Sequence, residues 1–158
     1  MRRIAMFLPV LCCLAFVAQQ SAARDDDTKD KSKEWVKGSV WEGILRRSLS
    51  NGEVITGPTT AVVTKREGKS FEGRFEFADG AIVLEFEGEA GDTGKLNITI
   101  TKIANASDEW KKSQKNVVGT KANGTVDGKS AILKFRMSPG DPLKGTPNTG
   151  TITLKLKD

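Results

Sequence analysis

The segment that decides the fold runs from residue 70 to residue 90 and reads SFEGRFEFADGAIVLEFEGEA. Asp79-Gly80 at its centre is a preferred type I′ hairpin turn, and it pairs residues whose numbers sum to 159. In that register, one face of the hairpin carries Phe71, Gly73, Phe75, Phe77, Ile82, Leu84, Phe86 and Gly88. Phe86 is expected to cover Gly73 across the ladder. A slip of one residue would turn these aromatic side chains into water, so the sequence predicts both the hairpin and its register.

The same alternation of apolar and polar residues continues on both sides of this hairpin and predicts six further strands. They are expected near 39–48, 59–65, 95–103, 118–124, 131–137 and 149–157. Turns are expected at 51–52, 66–68 and 127–128. The turn at 66–68 sets Val63 opposite Phe71, and the turn at 127–128 sets Gly124 opposite Ala131. Gly57-Pro58 should break or bulge its strand, because proline cannot donate to a ladder.

Eight strands with one apolar face each require a closed barrel or a second covering sheet. The chain order favours an all-β fold consisting of a single antiparallel up-and-down barrel of about eight strands, with a β-sandwich as the alternative. An eight-stranded barrel encloses room for packed side chains or for one small ligand. Small inward residues such as Gly73, Ala122 and Gly124 leave both of these interiors open.

Two segments interrupt the strand pattern. Residues 105–115 predict one short helix near 106–114, because acidic residues come early and lysines late. Trp110 is the one large apolar residue of this segment and is expected to plug an end of the barrel. Residues 138–148 contain three of the five prolines of the chain and predict a stiff loop that covers a mouth.

The N-terminal residues predict an exported protein. Two arginines, an apolar run at 4–18 and the small residues Ser21 and Ala23 are typical of a secretory signal peptide at 1–23, cleaved after Ala23. The apolar run is shorter than the roughly 20 residues that span a membrane, so no stable membrane anchor is expected after cleavage. Residues 24–37 are almost wholly charged and predict a flexible leader, followed by the barrel domain at 38–158. The expected localisation is secreted or periplasmic.

Composition excludes several kinds of chemistry. The 158 residues contain no histidine, which rules out serine triads, Cys–His dyads and zinc-protease motifs. Both cysteines lie within the signal peptide, so no disulfide is expected. Loss of Arg2 and Arg3 lowers the net charge from +5 to +3, which is too small to indicate nucleic acid as a partner. We expect no cofactor, no metal site and no enzymatic activity.

Glutamates on the outer face are the one candidate for catalysis. Glu72 and Glu87 should lie directly opposite each other, as in a cation site or a carboxylate pair for glycoside hydrolysis. The simpler interpretation is a solvated face on which Arg74 bridges to Glu85. Hydrolysis needs one carboxyl group in an apolar pocket, and these carboxylates are expected to point to water.

Two further outer features have ordinary explanations. Lys121 is expected to face Lys134 with Arg136 nearby, and lysines of this kind commonly protect exposed sheet from pairing. Three Asn-x-Ser/Thr triplets also occur; such triplets arise by chance in threonine-rich strands, and glycosylation in a eukaryotic secretory route is the alternative. They begin at Asn97, Asn105 and Asn123.

The opening of the first strand, Gly38-Ser39-Val40-Trp41, resembles the calycins, the barrels of lipocalins and avidins. In that superfamily a Gly-x-Trp in the first strand closes one end of an eight-stranded barrel, whereas two residues separate Gly38 from Trp41 here. The resemblance implies binding of a small hydrophobic molecule. Residues 41–43 and 71–73, each aromatic-Glu-Gly, also resemble small secreted bacterial proteins of unknown role.

These observations favour a secreted, non-enzymatic β-barrel that binds a small apolar ligand at its mouth. The expected ligand-binding residues are Trp41, Phe135, Met137 and Leu143. The alternative is an interaction protein with a packed core, an inhibitor or envelope component whose surface meets a protein partner. A hydrolase that uses the exposed carboxylates is the third hypothesis. The oligomeric state stays open.

Overall fold

The computed structural model of the chain describes residues 31–114, 116–137 and 148–158. In these ranges the chain forms eight strands and one short helix. The elements in chain order are β1 (Val40–Ser48), β2 (Val54–Glu67), β3 (Ser70–Phe77), β4 (Ile82–Ala90), β5 (Lys95–Asn105), α1 (Asp108–Ser113), β6 (Lys121–Asp127), β7 (Ser130–Met137) and β8 (Asn148–Leu156). No helix within these ranges is long and apolar enough to cross a membrane. The predicted signal peptide lies outside the described residues.

The eight strands form one closed antiparallel barrel, in which consecutive strands pair and β8 pairs with β1. Alternation along each strand turns one face inward, and buried apolar side chains from all eight strands form one core cluster. The predicted up-and-down barrel is confirmed. The β-sandwich alternative is wrong, because the β1–β8 ladder closes the sheet on itself.

The β3–β4 hairpin adopts the predicted register, with Phe71 opposite Gly88 and Gly73 opposite Phe86. The Phe86 ring covers Gly73 as expected, since a Cβ built at that glycine would lie only 2.5 Å from the ring. The rings of Phe71 and Phe86 also meet edge-on, with centroids 6.0 Å apart. Aromatic rings over glycines therefore fill this part of the interior.

The β6–β7 register differs from the prediction by two residues. The turn is Gly128-Lys129, one residue later than expected, so Ala131 lies opposite Val126 and not opposite Gly124. Gly128 has a φ of 57° at the first central position, as a type II′ turn requires. A shift of two residues keeps each side chain on its own face, and the inner face is unchanged.

The β2–β3 register departs from the prediction for the same reason. Its turn is Gly68-Lys69, with a φ of 58° at the glycine, and β2 carries a bulge after Val63. Val63 therefore lies opposite Gly73, where Phe71 was expected. In both hairpins the central pair of the turn is Gly-Lys. The alternation of apolar residues fits this pair and the predicted turn residues just before it equally well, so it could not select between them.

Strand β2 passes through Pro58 without a break, so the break predicted at 57–58 is wrong. Pro58 pairs with Ile44 in a continuous β1–β2 ladder. It lies just beyond the last β2–β3 pair, Thr59 with Phe77. At that point β2 is an edge strand, which is where a sheet tolerates the missing N–H of proline.

The connection between β5 and β6 contains the predicted short helix. The Ser107 side chain caps α1 by accepting a hydrogen bond from the backbone N–H of Trp110. After the helix, Val117 enters the core, whereas Val118 is exposed and lies outside β6, although the predicted strand at 118–124 includes it. The difference arises because β6 begins only at Lys121, after a turn that precedes the strand.

Trp35 closes the end of the barrel at which β1 begins. Its indole is fully buried, and its ring centroid lies 4.8 Å from that of Trp41 and 5.7 Å from that of Phe71. The backbone N–H of Gly38 also donates to the carbonyl of Val63. Trp35, which lies in the segment predicted as a leader, thus packs against the barrel, because burial of an indole offsets the ordering of a short stretch of chain.

Closure of the barrel depends on Gly43, where a Cβ would overlap the carbonyl oxygen of Thr153 on β8. We expect Gly43→Ala to lower the free energy of unfolding by about 3 kcal/mol, because it forces two backbones apart. Gly57→Ala is the matched control, since its Cβ meets no atom within 4 Å. The control should be neutral or stabilising by about 1 kcal/mol. Urea unfolding measures both variants, and equal stabilities would contradict this role of Gly43.

The β3–β4 loop holds two non-glycine residues in the left-handed region. Ala78 has a φ of 50°, followed by Asp79 at 54° and Gly80 at 86°. An alanine there costs roughly 1 kcal/mol, so Ala78→Gly should raise the free energy of unfolding by about 0.5–1 kcal/mol. Ala81→Gly, whose φ is not positive, should lower it by a similar amount. Thermal denaturation of both variants checks the pair, and a destabilised Ala78→Gly would refute the assignment.

Candidate functional site

The two ends of the barrel differ. Trp35 and Trp41 fill one end, and the other end contains a cavity of about 360 Å³ that we call the barrel cavity. Phe75 separates the two, with its ring centroid 4.5 Å from that of Phe86 in the packed end. The interior is therefore packed on one side and hollow on the other.

The walls of the barrel cavity are apolar. Four aromatic residues line it, namely Phe75, Phe77, Trp110 and Phe135. Aliphatic side chains and a thioether complete most of the wall, and they include Leu45, Ile82, Leu84, Ile100, Met137 and Ile152. Because alternate positions on the strands point inward, the same pattern that forms the core also lines the cavity.

Helix α1 lies at the mouth of the cavity. Trp110 belongs to this helix, is half-buried and packs against the core cluster. Trp110 therefore lies at one end of the barrel, as predicted. It lines the cavity at that end, however, whereas the prediction was that it would plug the barrel. Val117, just after the helix, lines the same wall.

Arg47 is the one charged residue among the described residues that line the barrel cavity. It is half-buried, and burial lowers the pKa of its guanidinium. Its Nη2 atom donates a hydrogen bond of 2.9 Å to Oε1 of Gln114, the C-cap residue of α1. Its Nε atom is buried and has no hydrogen-bond partner among the described residues.

The predicted ligand-binding residues fall into different places. Phe135 and Met137 line the barrel cavity. Trp41 is fully buried in the packed end and does not line it. Leu143 lies outside the described residues.

Arg47 is the charged residue of the cavity wall that the sequence prediction missed. It continues the inward alternation of β1 after Trp41, Gly43 and Leu45, and this alternation was the signal available to find it. Arginine is usually read as an outward residue, and its neighbour Arg46 is indeed exposed.

A second, larger hollow of about 520 Å³ lies on the outer face of β3–β6. Glu72 and Glu87 lie opposite each other there, as predicted. The Nζ atom of Lys65 lies 3.3 Å from Oε1 of Glu72, and hydrogen bonds to Glu72 and Glu67 raise the pKa of this lysine. Among the described residues, no group of three His, Cys, Asp or Glu could hold a metal ion.

The charges on the outer face pair differently from the prediction. Arg74 Nε lies 2.6 Å from Oε1 of Glu76 on its own strand, and the predicted bridge to Glu85 is wrong. Glu85 pairs with Lys102 at 3.1 Å instead. Exposed ion pairs of this kind contribute little to stability and are typical of an ordinary solvated sheet surface.

The predicted basic strip changes with the β6–β7 register. Lys121 faces Arg136, and Lys134 faces Asn123, so the predicted contact between Lys121 and Lys134 is wrong. Asn123 also lies opposite Asn97 on β5, and both side chains are exposed. Exposure leaves these two triplets accessible.

No family model matches the sequence, and no curated protein matches it. Among solved structures, the chain is similar to a redesigned β-barrel at 17% identity and a TM-score of 0.43, over 82% of this chain and 96% of that one. These comparisons name no lipocalin or avidin. The part of the calycin resemblance that stands is the eight-stranded antiparallel barrel.

Proposed function

We propose that this chain is an exported, non-enzymatic binding protein that holds a small apolar ligand in the barrel cavity. The observation that carries the proposal is an apolar cavity in a closed barrel whose other end is filled by tryptophans. Its volume of about 360 Å³ lies near the lower end of the range of roughly 300–1,000 Å³ that is typical of small-molecule sites. A compact or slender ligand fits best.

Apolar residues around the mouth support the same proposal. Val54, Ile55 and Val118 are three of the exposed large hydrophobic residues in the described part of the chain. Ile55 lines the cavity, and Val118 is the next residue in the chain after Val117, which also lines it. Exposed apolar surface beside a hollow is typical of the entrance of a ligand site.

The proposal contains no catalytic step. The chain has no histidine, and the opposed carboxylates of Glu72 and Glu87 lie on an exposed face outside the barrel. An exposed carboxylate lacks the apolar surroundings that would keep it protonated as a general acid near neutral pH.

Binding can be tested with N-phenyl-1-naphthylamine, a neutral dye that fluoresces in apolar surroundings. We expect the purified protein to bind one dye molecule in competition with decanol. Gly57→Leu should abolish dye binding, because Gly57 lines the cavity and a side chain there enters open space. Thr60→Leu, on the outer side of the same strand, adds the same apolar group and should bind normally.

Both variants must remain folded, which circular dichroism and urea unfolding establish. Equal dye binding by Gly57→Leu and the wild-type protein would place the dye elsewhere and contradict the proposal. So would the absence of any dye binding by the folded wild-type protein.

Export is tested separately by the intact mass of protein recovered outside the cytoplasm of the expressing cells. The proposal expects a chain that begins at Arg24, after cleavage behind Ala23. A chain that keeps its first 23 residues, or that stays in the cytoplasm, would contradict it.

A protein partner is the second candidate function, and one observation favours it. Ile44 and Ile132 are 56% and 46% exposed on the outer face, and Thr153 lies between them as the cross-strand partner of both. Ile44→Ser with Ile132→Ser would weaken such an interface and leave dye binding unchanged.

A further inference from the structure

We propose that the ligand of the barrel cavity is an amphiphile with an anionic head group, and that Arg47 holds this head at the mouth. The inference rests on the function proposed above and adds the class of ligand. It follows from the position of Arg47, from its unsatisfied donor and from the charges around the cavity.

Arg47 lies at the mouth end of β1. The strand begins at Val40 beside the packed end and finishes at Ser48, one residue after Arg47. The inward residue before it is Leu45, which lines the cavity. A head group at Arg47 would therefore leave its tail directed inward, past Leu45 and towards Phe75.

The guanidinium has donors to spare. Nη2 donates to Gln114 at 2.9 Å, whereas Nε is buried without a hydrogen-bond partner among the described residues. A buried donor left unpaired is unfavourable, and an acceptor supplied by a ligand would satisfy it. Nε and Nη groups together form the fork that binds carboxylates and phosphates.

The described residues of the cavity wall supply no negative charge to compensate Arg47. The described residues that line the cavity include no aspartate or glutamate, and Arg47 has no ion pair among the described residues. Other cations on the barrel, such as Arg74 and Lys102, do pair with glutamates. Burial lowers the pKa of the Arg47 guanidinium, and an anionic ligand would shift that pKa in the opposite direction.

The closing experiment compares head groups on one tail. Decanoate, decanol and decyltrimethylammonium compete with N-phenyl-1-naphthylamine for the wild-type protein near neutral pH. We expect decanoate to bind at least about tenfold more tightly than decanol, because a hydrogen bond to a charged group is stronger than one to a neutral group. Decyltrimethylammonium should bind more weakly than decanol.

Arg47→Met should abolish the preference for decanoate over decanol while the protein still binds decanol. Arg46→Met removes the neighbouring, exposed charge and should keep the preference. Arg47→Lys should retain part of the preference for decanoate, since lysine keeps the positive charge but lacks the planar fork of the guanidinium. Decyl phosphate distinguishes the two kinds of anionic head group, carboxylate and phosphate. If it competes as well as decanoate, the site accepts both; if it competes more weakly than decanoate, the site is specific for carboxylates.

The outcomes distinguish the two proposals. If decanol and decanoate compete equally in the wild-type protein, the anionic head is refuted and the apolar site stands. If none of the decyl compounds competes, the binding function itself fails. If Arg47→Met does not fold, the wild-type ratio and the Arg47→Lys variant still decide the question. An unchanged ratio in a folded Arg47→Met variant would overturn the role of Arg47.

Discussion

The barrel can close because neighbouring backbones approach each other at a few inward-facing glycines. At Gly43 and Gly124, a Cβ would overlap a carbonyl oxygen of the adjacent strand, so no larger residue fits without displacing that strand. The same absence of side chains lets aromatic rings lie flat against the sheet, as Phe86 does over Gly73 and Phe135 over Gly150. Tight strand contact and aromatic filling are thus two results of one constraint, and together they determine which parts of the interior are solid.

The difference between the packed end and the hollow end of the barrel follows from the positions of the tryptophan side chains. Trp35 precedes β1 and packs against Trp41, an inward residue of that strand, so that the two indoles together fill one end of the barrel. No comparable insertion from the described residues fills the other end, where Trp110 lies at the wall and Arg47 at the mouth. The barrel therefore joins a packed half to a half whose lining is mostly apolar with one charged side chain among the described residues, a combination typical of small-molecule sites.

The alternation of residue types predicts faces well and registers less well. The β3–β4 register was predictable because Asp79-Gly80 offers a single turn, whereas the Gly-Lys turns at 68–69 and 128–129 sit beside competing signals. A two-residue shift leaves every face unchanged, so hydrophobic patterning cannot detect it. The burial of Trp35 was not predicted, because the charged residues around it indicate a flexible leader. The cavity was not predictable because its walls use the same apolar residues as a packed core, and only their three-dimensional fit separates the two.

The pairing of β1 with β8 has a consequence for how the chain folds. Seven ladders join strands that follow one another in sequence, but this one joins residues from opposite ends of the barrel domain, such as the cross-strand partners Trp41 and Leu156. Contacts of such separation form slowly, since a long loop must close before they stabilise anything. Until then β1 and β8 both present unpaired edges to other chains. The rate at which β1 pairs with β8, rather than the rate at which the hairpins form, should therefore determine how much the chain aggregates during folding.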